Sequence, residues 1–307
     1  MDKKELIQAI GELKKEKNAI ILAHYYSNPQ VQDIADFIGD SLELSRKAAT
    51  TSADVIVFAG VHFMAETAAV ISPEKKVFAP VLGAGCSLAD GVTGEDLRAW
   101  KKLNPGGLVV SYVNTTADVK GETDYCCTSA NALQVVEHLP ADTKILFVPD
   151  KNLGGYIRKR TGRDMELYDG NCYVHQEITT GLILSRIAEY PGADVLIHPE
   201  SQCSRDETIL NHPDCYLYST SGMLRHIRES SKKTFIIATE VGILYKLRKE
   251  NPDKTFIPVS ENVVCKYMKI ATLEDIYQSL KEEKYRVSIP SGLRERAMLP
   301  IKRMMEI

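Results

Sequence analysis

Ala19-Ile-Ile-Leu-Ala-His-Tyr-Tyr26 is an apolar run that ends in three side chains able to hydrogen-bond. A short continuous apolar run bounded by polar sequence reads as a parallel strand buried on both faces. Two counterparts follow: Leu108-Val-Val-Ser-Tyr112 with Val113-Asn114, and Val195-Leu-Ile-His198 with Pro199-Glu200. Each strand end is followed 60 to 67 residues later by a cysteine, Cys86, Cys172 and Cys265. A self-similar pattern at this period means one α/β unit written three times.

The other landmarks keep the same spacing. Helical periodicity over residues 5–17, 94–103 and 177–190 precedes the three strands. A second strand follows each, at Phe37-Ile-Gly39, Tyr125-Cys-Cys127 and Tyr216-Leu-Tyr218, and leads to Ser41, Ser129 and Thr220. A third strand starts 14, 15 and 14 residues after those hydroxyls, and the cysteine comes 31, 28 and 31 residues later. The C-terminus begins a fourth copy, with a helix over 272–284, a strand over 286–290 and a last helix from Gly292. The expected fold is α/β: three pseudo-symmetric, three-layer αβα domains with small parallel sheets around a central site. The expected units are residues 1–86, 87–172 and 173–269, with 270–307 returning to pack on the first. In such sheets ligands bind beyond the carboxyl ends of the strands, where all three rows of landmark residues fall.

Composition narrows the class. The 307 residues are 44% hydrophobic and 26% charged, ample for a core or for several small ones. A net charge of −3 and a pI of about 6.2 leave no basic surface for nucleic acid or an anionic membrane. No apolar run approaches the roughly 20 residues of a membrane span. The first residues, MDKKELIQAIGELKKEKN, lack the apolar centre of a signal peptide, so a cytoplasmic protein is expected.

Seven cysteines are an odd number in a chain of this size, which disfavours a disulfide framework. Cys86, Cys172 and Cys265 stand at matched repeat positions, whereas Cys126, Cys127, Cys203 and Cys215 do not. Three thiolates meeting at a centre can hold a [4Fe–4S] cluster by three of its irons, leaving the fourth open. Three thiolates and a water also suit zinc, and the long separations do not choose between them. His24 and His198 share one repeat position, and His175 lies three residues past Cys172. Tyr26, Tyr112 and Glu200 are candidate proton donors and acceptors, and Asn114 a partner for a carboxylate or carbonyl. Ser41, Ser129 and Thr220 sit where helices start, positions at which hydroxyls cap free N–H groups and anions bind.

These residues resemble the quinolinate synthase family along nearly the whole chain. The stretches that carry the resemblance include Leu22-Ala-His-Tyr-Tyr26, Gly39-Asp-Ser41, Gly60-Val-His-Phe-Met-Ala-Glu66 and Tyr112-Val-Asn114. Thr128-Ser-Ala-Asn131, Pro149-Asp-Lys-Asn-Leu153, Val174-His175, His198-Pro-Glu200 and Thr239-Glu240 complete it. The resemblance implies three α/β domains in a triangle around one [4Fe–4S] cluster held by Cys86, Cys172 and Cys265. It implies condensation of iminoaspartate with dihydroxyacetone phosphate to quinolinate, phosphate and water, a transferase step of NAD biosynthesis. An aspartate-oxidising enzyme would supply the iminoaspartate. The implied substrate contacts are His24, Ser41, Tyr112, Val113, Asn114, Ser129, His175, His198, Pro199, Glu200 and Thr220. Tyr26, Glu200, His198 and Tyr112 are the implied catalytic groups, with Phe63 nearby. A non-catalytic iron–sulfur sensor or carrier and a three-cysteine zinc enzyme are the alternatives. The C-x-x-C-x-x-C segment of some members is missing here, and Cys203 in Ser201-Gln-Cys-Ser-Arg205 has no assigned role.

Overall fold

The computed structural model describes residues 1–307. Its twelve strands are β1 (Ala19–His24), β2 (Phe37–Gly39), β3 (Val55–Ala59), β4 (Lys76–Phe78), β5 (Leu108–Tyr112) and β6 (Tyr125–Cys127), then β7 (Ile145–Val148), β8 (Met165–Leu167), β9 (Asp194–Ile197), β10 (Cys215–Leu217), β11 (Thr234–Ala238) and β12 (Thr255–Pro258). They form three four-stranded sheets in the orders β2-β1-β3-β4, β6-β5-β7-β8 and β10-β9-β11-β12, one order repeated three times. Every pairing is parallel, in matching register: Ile21 opposes Val57, Val109 opposes Leu146, and Val195 opposes Ile236. Helices cross between the strands, so each unit is a three-layer α/β sandwich, as the alternating pattern predicts.

The order of the strands locates the site. The chain reverses its direction of winding between the first and third strands of each sheet, and a crevice opens there at the carboxyl ends. His24, Tyr112 and His198 stand at that point, and the residues just past β3, β7 and β11 face them from the other side. The inner faces of the three sheets merge into one apolar core of 52 buried residues. The outer faces keep separate small cores, for example Leu6, Ile10, Ile21 and Val57 in the first unit. The three strand-end crevices are thereby fixed relative to one another by shared apolar packing.

The fourth copy stops at its helix. The helix Leu273–Glu282 lies against the helix Lys3–Glu16 and against β3. Residues 286–290, expected as a strand, make one antiparallel bridge, Arg286 to Phe78. Tyr285 turns the chain with φ +60°, and Pro290 offers no N–H, so the ladder ends. The last helix, Ser291–Glu306, crosses from the first unit to the second, lying on the helices His62–Ile71 and Ala117–Gly121 and on β6. Asn131 Nδ2 donates to Met304 O at 2.8 Å, and Arg46 Nη2 to Met305 O at 3.0 Å, which tie both units to it.

Lys120 is a buried cation that holds a strand-end loop. Its fully enclosed ammonium donates to Val113 O at 2.9 Å and to Thr115 O, and lies 5.5 Å from the centre of the Phe63 ring. Burial pulls its pKa down from 10.5 to about 8. Below pH 8 the proton is present in both folded and unfolded chains, and the fold bears the cost of a buried charge. Between about 8 and 10.5 the folded chain gives it up first, so stability rises with pH across that window, by up to about 3 kcal/mol. Lys120→Met is expected to lose this rise, measured as urea midpoints near pH 7 and near pH 10. An equal gap between wild type and variant at both pH values contradicts it.

Candidate active site

One cavity lies where the three strand-end crevices meet, with about 70 Å³ of room for the centres of water-sized molecules. Cys86, Cys172 and Cys265 all open onto it. So do His24, Tyr26, Ser41, Phe63, Tyr112 and Asn114, and likewise Ser129, His175, His198, Glu200 and Thr220. Val113 and Pro199 are buried and do not line it; the Val113 amide donates to Cys127 O at 2.8 Å. The walls are mostly buried, so electrostatic interactions inside act at low effective dielectric.

The hydroxyl row works differently from simple capping. Asp40 caps the helix Ser41–Thr50, accepting from Leu42 N and Glu43 N, and Ser219 caps Thr220–Glu229 through Gly222 N. Ser41 and Thr220 are therefore first helical residues, with hydroxyls left for the cavity rather than for their own helices. Asp40 already places a negative charge at one of these helix starts. Asp40 Oδ2 also accepts from Ser221 Oγ at 2.5 Å, which joins the first and third units at the cavity rim.

A continuous line of polar side chains crosses the cavity. Tyr26 Oη lies 2.5 Å from Thr239 Oγ1, and Thr239 Oγ1 lies 2.9 Å from His175 Nε2. His175 Nδ1 lies 3.2 Å from Glu200 Oε2, which is 3.3 Å from His198 Nδ1. His198 Nε2 reaches Ser129 Oγ at 3.2 Å. Hydroxyls both donate and accept, and imidazoles take a proton on one nitrogen and release it from the other. The line therefore joins the first unit to the second through the third.

Burial sets the charge state of these groups. Removal from water lowers the pKa values of His24 and His175 to about 3 and holds His198 well below its usual value, so all three imidazoles are neutral. Glu200 is pushed well above the usual carboxylate range, first by burial and then by the nearby Asp150 charge, while the Tyr112 hydroxyl works the other way. Burial likewise keeps the phenols of Tyr26 and Tyr112 protonated. The cavity thus holds neutral acids beside neutral bases, an arrangement suited to moving protons.

The thiols are also pushed up by burial, Cys86 to about 12, Cys172 well above its ordinary value, and Cys265 in the same direction. Backbone N–H groups of Leu88 and Ala89 at Cys86, of His175 at Cys172, and of Tyr267 and Met268 at Cys265 work against that shift. The phenol of Tyr173 does the same at Cys265. N–H donors aimed at sulfur suit a thiolate, and a cation among the thiols would supply the charge that ionises them. Cys172, His175 and Glu200 form a further trio whose ligand atoms lie within 4.8 Å of one another, a group able to hold a metal ion.

Three residues of the site escape a reading of the repeat. Thr239 links Tyr26 to His175, as above. Asp150 and Glu240 each stand two residues past a third strand, β7 or β11, and each carboxylate holds the next cysteine. Cys172 N donates to Asp150 Oδ2 at 3.1 Å, and Cys265 N to Glu240 Oε1 at 3.1 Å. Val61 occupies the equivalent place after β3, so Cys86 has no such carboxylate. Lys269 Nζ pairs with Glu240 Oε1 at 2.9 Å and also donates to Tyr26 O. Gly242 sits so close to these groups that a Cβ there would strike Lys269, Glu240 and Tyr26 O. The matched offsets of Asp150 and Glu240 were a signal available in the sequence.

A family model described as quinolinate synthetase A protein matches residues 8–306. A protein of Pyrobaculum aerophilum described as quinolinate synthase is 50% identical over 305 residues, covering 98% of this chain and 99% of its own. One from Thermus thermophilus with the same description is 49% identical over 302 residues, 98% of this chain and 97% of its own. One from Gloeothece citriformis is 47% identical over 308 residues, 99% and 94% of the two chains. With matches running from end to end at this identity, the chain is an enzyme of the quinolinate synthase family.

Proposed function

We propose that this enzyme condenses iminoaspartate with dihydroxyacetone phosphate to quinolinate, phosphate and water, with one [4Fe–4S] cluster held by Cys86, Cys172 and Cys265. The observation that carries the proposal is the meeting of all three matched thiols and the Tyr26-to-Ser129 line in one cavity. The donor set fits the cluster: three soft sulfur ligands, none in a disulfide, each with N–H donors near the sulfur. When bound, the cluster supplies an open iron that acts as a Lewis acid toward a substrate oxygen.

The chain's own residues handle the rest. The condensation removes a proton from carbon, loses water and closes a ring, so protons leave one part of the substrate and arrive at another. Neutral His175 and His198 accept protons, and Tyr26 and protonated Glu200 donate them, without exchange with bulk water. The substrates carry carboxylates and a phosphate. The hydroxyls of Ser41 and Thr220 donate to them, and Asn114 Oδ1, buried without a partner, accepts from a substrate hydroxyl or N–H. The hydroxyl, imidazole and carboxyl groups that line the cavity favour this reading over a non-catalytic electron carrier, which has no use for them. No helix is long and apolar enough to cross a membrane. The proposal includes a cytoplasmic location and an aspartate-oxidising enzyme as the source of iminoaspartate. Anaerobic assay of iron-loaded chain with both substrates tests the proposal. Quinolinate is the expected product, and its absence from a fully loaded sample refutes the assignment.

A further inference from the structure

The ligand atoms of Cys172, His175 and Glu200 all lie within 4.8 Å of one another, and two of the three separations already approach those around a tetrahedral ion. His175 Nδ1 lies 3.3 Å from Cys172 Sγ and 3.2 Å from Glu200 Oε2. Zinc bound at about 2.0–2.3 Å with tetrahedral angles places S, N and O ligands roughly 3.4–3.6 Å apart, a few tenths of an ångström wider. His175 Nδ1 has one lone pair or one proton to share between two partners, so one of its two contacts always lacks a hydrogen. Glu200, 3% exposed, also keeps Oε1 buried with no partner. On its far side the His175 ring is held by Thr239 Oγ1 at 2.9 Å, the kind of outer partner that orients metal-bound imidazoles. A cation among the three replaces both contacts of His175 Nδ1 with metal–ligand bonds.

We propose that cluster-free chain binds one zinc ion through Cys172 Sγ, His175 Nδ1 and Glu200 Oε2, with a water in the fourth position. Binding releases the Cys172 thiol proton and any proton on His175 Nδ1 or Glu200. Because Cys172 belongs to both ligand sets, zinc and a cluster held by Cys86, Cys172 and Cys265 exclude each other. Only this exclusion rests on the proposed function; the zinc site does not. Zinc is thus a reversible block on loading the enzyme.

Cobalt(II) titration of cluster-free full-length chain, with folding checked by circular dichroism, tests this directly. One cobalt per chain is expected, with tetrahedral d–d bands and a thiolate charge-transfer band, displaced by zinc. Cys172→Ala should remove the charge-transfer band. His175→Ala and Glu200→Gln should weaken binding at least as much as the ~10–100-fold cost of losing an outer partner. Cys86→Ala and Cys265→Ala, or the serine variants if alanine does not fold, should leave affinity and spectrum unchanged. Loss of the band in the Cys86 and Cys265 variants overturns the proposal in favour of a three-thiol site. Unaltered binding in the His175 and Glu200 variants, or no binding by folded wild type, also overturns it. Zinc-loaded chain should take up no iron until the zinc is chelated, and iron uptake alongside bound zinc refutes the exclusion. Failure of zinc-free chain to take up four irons would sink the cluster assignment alone, since the cobalt result does not depend on it.

Discussion

Cys265→Ala is expected to leave the chain folded, without stably bound iron and without measurable quinolinate formation. Cys265 is the third unit's only contribution to the thiol row, and its sulfur is served by donors from Tyr267, Met268 and the Tyr173 phenol. Removing it leaves two half-buried thiols, both protonated in the absence of a cation. Loss of an outer partner at a metal site costs about 10–100-fold, and loss of a ligand should cost more. The fold should survive because Cys265 is half-buried at the cavity edge and packs only against the margin of the shared core. Cys203→Ala is the control. Cys203 is fully buried in the outer core of the third unit, with Ile178 and Ile209, and truncation there costs about 1 kcal/mol of packing while sparing iron and activity. Iron per chain and visible absorbance, measured anaerobically on both variants, decide the matter. A Cys265→Ala sample with full iron and full activity would remove the cysteine row from the mechanism.

The repeat was legible because its determinants are local. Parallel strands buried on both faces read as apolar runs such as Ile20-Ile-Leu22, and the strand order follows from short crossovers that turn one way. The cysteines were legible by their matched offsets. What escaped was set by side-chain contacts that spacing along the chain does not show. Thr239 does not recur in the repeat and matters because it stands between Tyr26 of the first unit and His175 of its own. Lys120 reads as an exposed helical lysine until the turn Val113–Thr115 folds over its ammonium. The caps fell one residue earlier than expected, since Asp40 and Ser219 outcompete Ser41 and Thr220 for the free N–H groups of their helices. The segment after Tyr285 made only one bridge, because Tyr285 turns the chain there and Pro290 has no N–H to extend the ladder.

Tyr26→Phe is the sharpest test of the polar line. The phenol of Tyr26 is its terminal group in the first unit, and the ring is held independently by edge contact with His24 at 4.4 Å between centres. Removing the oxygen should therefore keep the ring, the fold and the iron, while Thr239 loses its partner. If the phenol delivers or receives a proton in the slow step, turnover should fall by about 10²–10⁴ in kcat with little change in KM. Thr239→Val should act in the same direction, because a methyl can neither accept from Tyr26 nor pass a proton to His175 Nε2. Thr239→Ser should restore most of the rate, which a purely packing role for the threonine does not predict. Burial holds the Tyr26 phenol far above its ordinary value, so no alkaline loss of activity below about pH 10 should trace to it. Two outcomes would count against the line as a path for protons: unchanged kcat in Tyr26→Phe, or equal rates for Thr239→Ser and Thr239→Val. Either result would shift proton transfer onto Glu200 and His198, whose contact with Ser129 does not pass through the threonine.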